Sequence, residues 1–139
     1  MAAYVASLNT FANSPHRNAD GSLTAEAVSG KALFASKNCA QCHSGTAFSN
    51  SGAANLFNIG TLKPSSGSRL GAALTGLDVP TLRDVWATAP YLHDGSAATI
   101  EAAIKAHANQ PATDAQLTSL AAYLRELGGE EGAAPTPST

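Results

Sequence analysis

Three of the residues best suited to chemistry in this 139-residue chain stand together, as Cys39-Ala-Gln-Cys42-His43. Two thiols separated by two residues can reach the two vinyl groups of one porphyrin, and the next histidine then lies beneath the iron as proximal ligand. The motif C-x-x-C-H therefore reads as an attachment site for one covalent haem c, held by Cys39 and Cys42 with His43 on the metal. Other uses of a C-x-x-C pair fit less well. A thioredoxin-like dithiol wants a strand before it and a helix opening at the first cysteine, whereas residues 24–37 read as a helix. A structural zinc site wants four ligands, and no further cysteine exists.

The elements that must position this motif are mostly helical. Tyr4, Val5, Leu8 and Phe11 form an apolar stripe over residues 1–12, which Asn13-Ser14-Pro15 ends. A second helix should start at Thr24, with Glu26 in its first turn, and run through Val28, Leu33 and Phe34 to deliver the cysteines at its exit. Residues 44–78 are rich in Gly, Ser, Asn and Thr and read as a loop wrapping the porphyrin, with Leu56-Phe57-Asn58-Ile59 as a short strand. A short helix between Pro80 and Pro90 would carry Leu82, Val85 and Trp86 on one face, followed by a turn at His93-Asp94-Gly95-Ser96. The spacing then predicts a helix over 97–108, with Ile100, Ala103, Ile104 and His107 on its buried stripe. A last helix, residues 113–127, carries Leu117, Leu120, Ala121, Leu124 and Leu127 and stops at Gly128-Gly129. The expected architecture is all-α: a small, loop-rich, cytochrome c-like domain around one haem.

Composition narrows the function. Hydrophobic residues make up 44% and charged residues 13% of the chain, with a net charge of −2, which suits a single compact domain, expected to be monomeric. The basic residues are scattered singly, so no polybasic stretch points to nucleic acid or anionic lipid. No apolar run approaches the roughly 20 residues needed to span a bilayer, and the opening MAAYVASLNTF lacks the basic and apolar regions of a signal peptide. We expect residues 1–128 to form the haem domain. Residues 129–139, GEEGAAPTPST, have linker composition and suggest a module of a longer protein.

The segment from Val79 to Ile104, VPTLRDVWATAPYLHDGSAATIEAAI, resembles the carboxy-terminal haem domain of the bacterial dihaem cytochrome c peroxidases. Ser29-Gly-Lys-Ala-Leu-Phe34, Phe57-Asn-Ile-Gly60 and Leu120-Ala-Ala-Tyr-Leu124 fit the same pattern. The resemblance implies maturation outside the cytoplasm, with an export signal not contained in these residues and Met1 as a non-native start. Two departures matter. The peroxidases carry two haems, and this chain has one motif. Their carboxy-terminal haem usually takes a methionine as second axial ligand, at a place that here falls on His107.

The second ligand can also be approached by elimination, since the only methionine is Met1 at the chain end. That leaves His107, which an apolar stripe would bury at a cost unless its nitrogens found partners, His93 in its turn, and His16 beside Pro15. His107 is the expected ligand, with His93 as alternative or as a haem-edge residue. Arg83 resembles the family's Thr-Leu-Arg arginine and is expected to pair with a haem propionate. Trp86 and Tyr91 are expected to pack against the porphyrin, and Lys63 and Arg69 could reach a propionate or guide a partner. A second imidazole lowers the potential relative to methionine and fills the position peroxide would need. The expected function is single-electron transfer to a redox partner protein or fused domain, in the periplasm or outside the cell. The tail resembles linkers of secreted polysaccharide-degrading systems, where a copper oxygenase could be the acceptor. The alternative is a peroxidase-type haem domain with an open or displaceable sixth position.

Overall fold

The computed structural model describes residues 1–53 and 55–136. Four α-helices, α1 (Ala2–Ser7), α2 (Ala25–Ser36), α3 (Ile100–Lys105) and α4 (Asp114–Arg125), are joined by long connections containing 3-10 turns and one two-stranded hairpin, β1 (Ser68–Arg69) with β2 (Ala72–Ala73). The two long helices begin where side-chain chemistry dictates. The hydroxyl of Thr24 accepts from the Ala27 N–H, and that of Thr113 from the Gln116 N–H, with Gln116 returning the bond in a capping box.

The helices α2 and α4 form the centre of the molecule, and Gly30 sets their approach. A Cβ at position 30 would lie 1.9 Å from the Ser119 carbonyl oxygen, so only glycine lets the backbones meet. Phe34 sits at the crossing, edge-on to Tyr123 at 5.7 Å and to Phe48 at 6.0 Å, a geometry that aromatic quadrupoles favour. Ile100, Leu120, Leu124 and Leu127 close the core around them.

Four expectations need correction. The stripe on residues 1–12 yields only the short α1, whose Tyr4 and Val5, like Leu8 after it, remain exposed. The helix expected between Pro80 and Pro90 is a single 3-10 turn, Val85–Ala87. Asp84 has φ +59° and its N–H donates to the Leu127 carbonyl, so a tertiary bond replaces helix propagation. The helix expected over 97–108 starts late, because Ala97 is bridged to Tyr91 and the cap is Thr99. The expected strand at Leu56–Ile59 is one isolated bridge, Phe57 to Leu77.

The segment after α4 is pinned to the fold. Glu131 is buried and pairs with Arg17 and Lys31, Glu130 pairs with Arg17, and the Ala134 N–H donates to the Gly45 carbonyl. Linker composition therefore does not stop residues 129–134 from packing, since their carboxylates find fixed cations. Residues 137–139 of the expected tail lie outside the described residues.

Candidate haem centre

Local geometry places the motif at the exit of α2. Asn38 takes a left-handed conformation (φ 58°) and turns the chain into the 3-10 turn Cys39–Gln41. The N–H groups of Cys42 and His43 both donate to the Cys39 carbonyl. Both cysteines are half-buried free thiols, and burial pushes both above the ordinary thiol range. Cys39 packs against the edge of the core together with Leu82, Val85, Tyr91 and Ile104.

The residues that could hold an iron converge. His43 and His107 face each other with ring centres 6.5 Å apart and planes at 51°. Nδ1 of His43 lies 3.2 Å from the Phe48 carbonyl oxygen, and Nδ1 of His107 lies 2.9 Å from that of Ala103. A carbonyl can only accept, so Nδ1–H is the donor in both rings, and the lone pair of a neutral ring then lies on Nε2. Burial is the main cause holding His43 down to about 4; the carbonyl bonds oppose it and His107 reinforces it. Its imidazole is thus neutral at neutral pH, the state a metal ligand needs. His107 lies just beyond α3, with its N–H bonded to the Ile104 carbonyl, and the next N–H, that of Ala108, reaches the Ile59 carbonyl. A donor set of two imidazoles beside two thiols fits a c-type haem.

The other expected residues are dispersed. His93 is exposed, and its Nε2 is 2.8 Å from the Ser66 hydroxyl. Lys63 pairs with Asp94 at 3.0 Å, and Arg69 lies in the exposed hairpin. His16 is exposed and sits edge-on to Trp86 at 6.0 Å. Trp86 and Tyr91 line a cleft of about 230 Å³ with His16, Ile100 and Arg125. Tyr91 donates its hydroxyl to the Val85 carbonyl, while the buried Nε1 of Trp86 has no partner among the described residues.

Arg83, expected to face a propionate, is buried, and its guanidinium donates to three backbone carbonyls, those of Thr46, Gly128 and Gly132. The fork that suits a carboxylate equally suits carbonyls from separate segments. Sequence reasoning also missed Phe48, whose carbonyl orients His43, and no side-chain pattern marks such a backbone acceptor.

Known proteins resemble this chain in sequence and fold. A family model described as "RoxA-like, cytochrome c-like" matches residues 76–113. Cytochrome c551 peroxidase of Nitrosomonas europaea is 31% identical over 78% of this chain and 36% of its own length. Cytochrome c peroxidase Ccp of Escherichia coli K12 is 33% identical over 64% of this chain and 21% of its own. A structure of hydrazine synthase from Kuenenia stuttgartiensis, pressurised with xenon, aligns with a TM-score of 0.62 and 28% identity, covering 84% of this chain and 51% of that one. The chain thus spans little more than a third of the curated peroxidase it matches over the greatest share of its own length.

Proposed function

Taking as premise that the chain is a c-type cytochrome domain resembling the bacterial dihaem cytochrome c peroxidases, we propose that it is an electron-transfer module with a bis-histidine haem. Cys39 and Cys42 would hold one haem c by thioethers, and His43 and His107 would ligate its iron. The observation that carries this reading is the pair of facing imidazoles, each with Nδ1 on a carbonyl and Nε2 free. Two rings bound to one metal through nitrogens at about 2.0–2.1 Å have centres roughly 6 Å apart, close to the 6.5 Å between these two.

Bound haem supplies a one-electron ferric/ferrous couple. His43 and His107, both half-buried, would together take the two iron positions that the porphyrin leaves open, so that none would remain for a small oxidant. Trp86, whose buried Nε1 has no partner among the described residues, and Tyr91 share one cleft and would border the cofactor there, while the exposed His93 would lie at its outer edge. The acceptor is a redox partner protein or a fused domain, and an extracellular copper oxygenase of polysaccharide breakdown is the candidate that the Pro/Thr-rich end suggests. The site of action is the periplasm or the cell exterior. No helix among the described residues is long and apolar enough to cross a membrane.

The names of the two peroxidase relatives favour a second reading, in which the sixth position opens to peroxide. One experiment separates the two: optical and electron paramagnetic resonance spectra of ferric wild type and His107→Ala. A low-spin, two-nitrogen signal that is lost in the variant is expected. A high-spin wild type, or a low-spin spectrum indifferent to the substitution, would reject His43/His107 ligation.

A further inference from the structure

The Phe48 carbonyl reaches His43 from a tight turn that is closed by bonds from the Phe48 and Ser49 N–H groups to the Gly45 and Ser44 carbonyls. Phe48 has φ +50°, a left-handed conformation that a bulky residue adopts only under constraint. Those two bonds leave the carbonyls of residues 46–48 to be fixed from elsewhere, and that hold comes from a distant segment, Thr81-Leu-Arg83. The Thr81 hydroxyl donates to the Ala47 carbonyl at 2.5 Å, the Arg83 Nε donates to the Thr46 carbonyl, and the Arg83 guanidinium lies 5.2 Å over the Phe48 ring. Residues 46, 47 and 48 are each gripped by this segment. The other two Arg83 donors hold Gly128 at 2.7 Å and Gly132 at 2.8 Å, which anchors the guanidinium itself to the end of the domain.

We infer that Arg83 is the positioning residue of the proximal ligand: it fixes the 46–48 loop so that the Phe48 carbonyl stays aimed at Nδ1 of His43, and thereby lowers the reduction potential of the iron. This rests on His43 being an iron ligand. A carbonyl accepting from Nδ1–H makes the imidazole a better donor to ferric iron. Once the guanidinium is removed, Phe48 relaxes towards negative φ, its carbonyl turns away, and ferrous iron gains. Lysine keeps the charge at this place but not the fork, so a charge effect and a positioning effect part company.

The test is spectroelectrochemistry with electron paramagnetic resonance on the haem-loaded protein, comparing wild type, Arg83→Lys and Thr81→Val. Arg83→Lys should shift the ferric/ferrous equilibrium about tenfold towards ferrous iron, an increase of about 59 mV for one electron, and change the low-spin g values. Thr81→Val, which removes one exposed hydroxyl, should move both in the same direction by a few-fold less and decides the matter if Arg83→Lys does not fold. Variants that lose stability to urea while keeping the wild-type potential and g values would overturn the inference. A high-spin wild type would instead reject the His107 ligation, and the potential difference between variants would still decide the role of Arg83.

Discussion

The two long helices and the residues that bear the expected ligands are built on different terms. Helices α2 and α4 meet backbone to backbone at Gly30, and buried carboxylates tie their ends to neighbouring segments. Glu126 accepts from the N–H and hydroxyl of Thr24, and Glu131 joins Arg17 and Lys31. In contrast, His43 and His107 each lie beyond the end of a helix and are oriented by single bonds to the Phe48 and Ala103 carbonyls, while residues 44–78 beside them are held by an isolated bridge, a two-stranded hairpin, short 3-10 turns and side-chain bonds such as Ser49 to the Val79 carbonyl. The contrast teaches that the closest backbone packing lies away from the expected ligands, and that the imidazoles are aimed by individual carbonyls outside the two long helices.

Phe34→Ala attacks both sides at once, because the ring touches Tyr123 and Phe48. It should cost about 3–5 kcal/mol in urea unfolding and abolish the low-spin spectrum. Gly30→Ala attacks the frame alone. Its Cβ must push the Ser119 carbonyl away, at about 1–3 kcal/mol or more, and an unchanged unfolding midpoint would show that the two helices do not meet so closely.

Acid sharpens the contrast. Burial raises the Glu131 pKa, but Lys31 and Arg17 together outweigh it and hold the group below its ordinary 4.5. A depressed folded-state value means that the stabilisation is complete above pH 4.5 and is lost as pH falls through that lower value. Glu131→Gln should cost about 1.5–3 kcal/mol at pH 7 and flatten the acid limb of the stability profile. Tyr91→Phe removes only the bond to the Val85 carbonyl, worth about 1 kcal/mol. Leu70→Ser, at the fully exposed tip of the hairpin, should lie within about 0.5 kcal/mol of wild type, and a larger loss would mean that the loop side has a core of its own.

Sequence reading succeeded where local chemistry decides. Thr24 and Thr113 announce their helices because a hydroxyl next to free N–H groups has one favourable use, and the leucines of α4 share a face by periodicity alone. The Cys39-to-His43 motif could be read as a candidate haem site because its spacing is local to five residues. Reading failed where a partner distant in sequence decides. Asp84 bends to meet Leu127, and Arg83 spends its fork on three carbonyls that no pattern advertises. The hairpin was missed although Leu70 and Gly71, both at positive φ, form the kind of tight turn glycine permits.

The meeting of α2 with α4 has a consequence for how the chain acquires its structure. The first long helix finds its partner in α4, so the loop closed by the Gly30 contact with Ser119 contains the whole cysteine motif, the hairpin and three of the four histidines. Contacts of such separation slow folding, because chain entropy is lost before packing rewards it. A fragment ending before Asp114 keeps Phe48 but lacks Tyr123, the other ring that receives Phe34, and a nascent chain completes this core only when α4 has been made.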